Sequence, residues 1–152
     1  MQTRRQHLQQ SAIVAGMLAS TGLFPQFAHA AFNKAAFDAK SIADALKAYG
    51  AGAPSESKDV TITAPDIAEN GAVVPLGAST SLANVKQLLI LVEKNPSSLV
   101  AMFNVTDSID AAVSTRAKMG QSSDVYAVAL TTDGKALFAK KEVKVTLGGC
   151  GG

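Results

Sequence analysis

From residue 59 onward, apolar residues recur at every second position in short runs separated by turn formers, and few folds satisfy that pattern. Seven runs are predicted as strands, at 60–63, 72–76, 85–93, 99–105, 111–118, 125–131 and 136–147. The breaks between them are Glu69-Asn70-Gly71, 79–84, Lys94-Asn95-Pro96, Thr106-Asp107-Ser108, 120–123 and Thr132-Asp133-Gly134-Lys135. These residue types favour tight turns, and Asp133-Gly134 is a strong hairpin signal. So many short strands in about 90 residues predict a mainly β chain, an immunoglobulin-like antiparallel β-sandwich. With one cysteine in the chain, it lacks the cysteine pair of antibody domains. Leu88 to Val92 is apolar on both faces, which predicts a central strand. Val143, Val145 and Leu147 alternate with Glu142, Lys144 and Thr146, which predicts a half-buried last strand.

Before the strands the period is 3.6. Phe37, Ile42, Ala45, Leu46 and Tyr49 fall on one stripe, with Asp38, Lys40, Asp44 and Lys47 largely off it, so 33–49 is predicted as an N-terminal helix. Gly50-Ala51-Gly52-Ala53-Pro54 ends it. The stripe is read as a face that docks on the chain's own domain, and 54–58 as a linker.

Residues 1–30 read as an export signal. Arg4-Arg5 gives a positive front, 11–24 a weakly apolar run too short to span a bilayer, and Ala28-His29-Ala30 a small-x-small cleavage site. The paired arginines followed by Leu8 resemble a twin-arginine signal, with His7 where that pattern prefers Phe. An uncleaved, membrane-anchoring N-terminus is the alternative. Cleavage after Ala30 leaves 122 of 152 residues, enough for one core.

That cleavage also removes both histidines, His7 and His29, and leaves 12 basic and 12 acidic residues. A neutral chain lacks the basic excess that nucleic acid or an anionic membrane surface needs. Without histidine and with one cysteine, it cannot assemble the usual zinc, copper or haem ligand sets, nor a His-based triad. No metal or other cofactor is expected.

The single cysteine stands in Leu147-Gly148-Gly149-Cys150-Gly151-Gly152. Glycine adds no side chain to pack, so 148–152 is predicted as a flexible arm rather than part of the core. Cys150 is its only chemistry. At about 3.3–3.6 Å per extended residue, the Cα of Cys150 lies at most roughly 10 Å from that of Leu147. A prenylation box needs its cysteine four residues from the end, and Cys150 is third. A lone cysteine in an oxidising compartment is free, carries an adduct, or pairs with another chain. An unperturbed thiol has a pKa near 8.5, so about 3% is ionised at pH 7. The nearest basic residue in sequence is Lys144, and the C-terminal carboxylate opposes ionisation. Cys150 is therefore a weak nucleophile on its own, and its activation falls to whatever pocket the arm enters.

Four stretches carry a resemblance. They are Glu69-Asn70-Gly71-Ala72-Val73-Val74-Pro75, Val92-Glu93-Lys94-Asn95-Pro96, Ser114-Thr115-Arg116-Ala117-Lys118-Met119, and Lys141 through Gly152 with its terminal Gly-Gly-Cys-Gly-Gly. With them the chain resembles the SoxY family of sulfur carriers in bacterial thiosulfate oxidation. The resemblance implies a periplasmic carrier, not an enzyme, holding covalent sulfur adducts on Cys150. It further implies a heterodimer with a SoxZ-like β-sandwich subunit. Its other partners would be a haem-containing enzyme that conjugates thiosulfate, a hydrolase that releases sulfate, and in some organisms a sulfane dehydrogenase. On this reading the chain comprises a twin-arginine signal at 1–30, a helix and linker at 31–58, a sandwich carrier domain at 59–147 and an arm at 148–152. Gly148, Gly149, Gly151 and Gly152 would give the arm its freedom and narrowness.

Two other classes of function use the same residues. Cys150 could form a permanent interchain disulfide, making the chain a structural assembly module. A thiol peroxidase or disulfide reductase would need a low-pKa cysteine with a resolving partner, and the sequence supplies neither.

Overall fold

A computed structural model of the chain describes residues 33–106 and 108–147. The signal expected at 1–30 and the arm expected at 148–152 lie outside the described residues. Among the described residues two helices come first, α1 (Lys34–Asp38) and α2 (Ile42–Ala48). Nine strands follow: β1 (Ser55–Glu56), β2 (Val60–Thr63), β3 (Ile67–Asn70), β4 (Val74–Thr80), β5 (Val85–Val92), β6 (Leu99–Asn104), β7 (Ala112–Ala117), β8 (Ser123–Thr131) and β9 (Ala136–Leu147).

The single helix expected over 33–49 is two, and side-chain caps divide it. Asn33 caps α1 by accepting from the Ala36 N–H, and Ser41 caps α2 by accepting from the Asp44 N–H at 3.1 Å. Between them Ala39 is extended, at ψ 132°. Asn33 Nδ2 donates to the Ala48 carbonyl at 2.8 Å and ties the two helices together. Gly50, at φ +70°, ends α2 as expected, with its N–H on the Lys47 carbonyl.

One sheet has the order β1-β9-β8-β5-β6, with β3 also paired to β9; the other has the order β2-β4-β7. The predicted sandwich is present, with two departures from antiparallel pairing. β1 and β3 both lie parallel to β9, along successive parts of its free edge. The expected linker at 54–58 therefore contains a strand, and the expected turn at Glu69-Asn70-Gly71 is in part the end of another. The expected strand at 72–76 runs instead from Val74 to Thr80. Its small residues Gly77-Ala78-Ser79 are held extended between β2 and β7.

β5 lies between β8 and β6, as its double apolar face predicts. Leu88, Ile90 and Val92 face the second sheet, in a core with Val60, Val74, Leu76, Met119, Val125 and Val143. Leu89 and Leu91 face the other way, into a second core with Val128, Leu130, Ala45 and Leu46. The helices cover this outer face, so the described residues form three layers, helix on sheet on sheet, and both faces of β5 are dry. Burying side chains of this size contributes about 1.5–3 kcal/mol each relative to leaving them in water.

Candidate functional site

β9 leads into the segment 148–152, and hydrogen bonds hold that strand to its last described residue. β8 pairs with β9 from Ala136 to Val143 and then ends. From there β3 takes over, aligning Ile67 with Lys144 and Asn70 with Leu147. The Lys144 N–H donates to the Asp66 carbonyl at 3.0 Å, and the Gly71 N–H donates to the Leu147 carbonyl at 2.8 Å. Side chains add to this: Thr146 Oγ1 donates to the Glu69 carbonyl at 2.9 Å, and Ser122 Oγ accepts from the Val145 N–H at 2.9 Å. Lys141 crosses behind them, with Nζ 2.9 Å from Asp66 Oδ1 and 2.7 Å from the Ala64 carbonyl.

The expectation of a half-buried last strand holds at Val143 and in part at Val145, but not at Leu147. Val143 is fully buried, whereas Leu147 is 70% exposed, at the margin where the arm begins. Sequence reasoning missed β3 and with it half of this root. The available signal was Ile67-Ala68 ahead of Glu69, an apolar pair too short to register as a strand.

Cys150, Gly148, Gly149, Gly151 and Gly152 lie outside the described residues. What the fold fixes is the strand end before them, held by β3, the Gly71 N–H and Ser122. Among the described residues no three His, Cys, Asp or Glu side chains converge as a metal site would require, and no helix is long and apolar enough to cross a membrane.

A family model described as sulfur oxidation protein SoxY matches residues 45–150, a span whose last residue is the cysteine. Among solved structures, the sulfur carrier protein SoxY from Chlorobium limicola f thiosulfatophilum is 36% identical, with a TM-score of 0.64. That match covers 70% of this chain and 97% of the other. A superoxide reductase (neelaredoxin) variant from Ignicoccus hospitalis matches at 18% identity and a TM-score of 0.50 over 57% of this chain and 78% of that one, a likeness of fold alone. No match is found among curated protein sequences.

Proposed function

Because the chain belongs to the SoxY family of sulfur oxidation proteins, we propose that Cys150 is the covalent attachment point through which this sulfur carrier of the Sox system holds its intermediates. The observation that carries the assignment is that the family match extends to residue 150, the one cysteine of the chain. The rooted end of β9 supports it, since a fixed origin lets a short arm present one thiol to several partners.

Loading is an oxidation. A thiol and thiosulfate join to give Cys–S–S–SO₃⁻, releasing one proton and two electrons, and a haem-containing partner is the acceptor suited to those electrons. Water then cleaves the bond between sulfane sulfur and sulfonate, releasing sulfate and leaving a persulfide on the cysteine. Neither step draws on a general acid or base of this chain. The arm contributes a thiol and peptide groups, and the client pocket ionises the thiol and orients the adduct. Gly148 and Gly149 on one side, and Gly151 and Gly152 on the other, keep the arm narrow enough to enter such a pocket. A SoxZ-like sandwich subunit is the proposed partner in the complex, and the periplasm, reached through the signal at 1–30, the proposed compartment.

Cys150→Ser tests the assignment. Thermal unfolding is expected to stay within about 0.5 kcal/mol of wild type, as for other substitutions away from a core. Thiosulfate-dependent turnover by the reconstituted system is expected to stop. Turnover by the serine variant would remove Cys150 from the carrier role.

A further inference from the structure

The end of the sandwich from which the arm departs also carries a groove of about 680 Å³, between the β5–β6 turn and the β7–β8 loop. Lys94, Arg116 and Lys118 line it, together with Asn95, Ser97 and Gln121, and no acidic residue does. All three cations are exposed, and none is ion-paired among the described residues. Like charges gathered in one concavity repel, so something must hold them together. Asn95 Nδ2 donates to the Lys118 carbonyl at 2.8 Å, and the Lys94 N–H donates to Ser123 Oγ at 3.0 Å, which fastens one cationic loop to the other. Such a site concentrates positive potential where an anion would find it.

This groove is stitched to the root of the arm. The Gly71 N–H donates to the Leu147 carbonyl, and the Gly71 carbonyl accepts from the Met119 N–H at 2.7 Å. Two hydrogen bonds and one residue therefore place Met119, which is flanked by Lys118 and Gly120, within about 10 Å of the Leu147 carbonyl. Cys150 reaches a similar distance, roughly 10 Å between Cα atoms.

We propose that the groove is a docking site for residues 148–152 of the same chain when Cys150 bears an anionic sulfur group, the sulfonate end of the adduct lying against Lys94, Arg116 and Lys118. The inference rests on the carrier reading above. Sulfonate keeps its charge throughout the physiological range, whereas the free thiol is mostly neutral at pH 7. Docking therefore favours a loaded arm over an empty one, which lacks the sulfonate's added charge. A guanidinium offers two parallel donors to such a group, and the two ammonium groups add charge. Individually weak contacts suffice, because a short tether holds the adduct at a local concentration of about millimolar.

Two adducts of the wild-type protein test this without any mutation. Tetrathionate converts the Cys150 thiolate to Cys–S–S–SO₃⁻ and releases thiosulfate. Methyl methanethiosulfonate gives the neutral Cys–S–S–CH₃ and releases methanesulfinate. Intact mass verifies each product, and amide chemical shifts are compared with those of the free thiol. The anionic adduct is expected to shift the amides of Lys94, Asn95 and Ser97 and those at 116–121, the neutral one to leave them in place, and added salt to reverse the shifts. Lys94→Gln with Lys118→Gln is expected to weaken docking by roughly two- to thirtyfold. Identical spectra for the two adducts would overturn the proposal, as would shifts that fade on dilution, which would place a second copy in the groove. Its failure is separable from that of the carrier reading: if Cys150→Ser abolishes turnover while the two adducts give identical spectra, docking alone is wrong.

Discussion

Asp133 shows how a single side chain can fix a turn on which a long strand depends. It opens the hairpin between β8 and β9, with Gly134 next to it at φ +83°, a conformation that costs an L-residue about 1–2 kcal/mol. Its carboxylate sits 2.7 Å from Lys135 Nζ and accepts from Thr131 Oγ1. The Lys135 side chain first, and then the Thr131 hydroxyl, lower its pKa from 3.8 to about 2. Because the folded value is depressed, the turn's contribution is complete above about pH 3.8 and is lost as pH falls through about 2. Asp133→Asn should thus differ most from wild type in melting temperature near neutral pH, with the gap narrowing between pH 4 and pH 2. A gap that stays constant across that window would mean the carboxylate's charge does not stabilise the turn.

At the scale of elements, the helical pair makes the outer face of the larger sheet dry. Leu46 is 2% exposed against Leu89, Leu91, Val128 and Leu130. Leu46→Ala is expected to cost about 2–5 kcal/mol in urea unfolding. A cost near zero would show the helices to be detachable. All seven strands read from the sequence are present, because each carries its own apolar pattern, alternating in most and continuous in β5, between its own turn residues. Strands β1 and β3 were not legible. Ser55–Glu56 has no apolar residue, Ile67–Asn70 runs into a turn signal, and both are strands only because β9 offers them a free edge. The β4 boundary moved for a related reason: Gly77-Ala78-Ser79 has little strand preference of its own and is extended by pairing on both sides. The division of the helix was readable, since Ser41 stands three residues before Asp44 and bonds to it at both main chain and side chain. Cys150 is noticed from the sequence alone, because a lone thiol among glycines needs no tertiary context, and it lies outside the described residues. The cationic groove was not legible, because it joins loops about 25 residues apart.

For the whole molecule, the two sheets leave edges that the described residues do not pair. β6 bonds only to β5 and β7 only to β4, and Met102 and Phe103 on β6 are half-exposed. Open edges with apolar side chains invite another chain. The mature chain expressed alone is expected to sediment as more than a monomer, and co-expression with its sandwich partner to give a one-to-one complex. A clean monomer in isolation would count against that partnership. The central claim, that Cys150 carries sulfur, is tested most directly by the intact mass of the protein taken without reductant from cells oxidising thiosulfate. The expected masses are raised by sulfur and sulfonate groups, map to the peptide that contains Cys150 and are restored by a reducing agent. A single unmodified mass, or a disulfide-linked dimer alone, would contradict it.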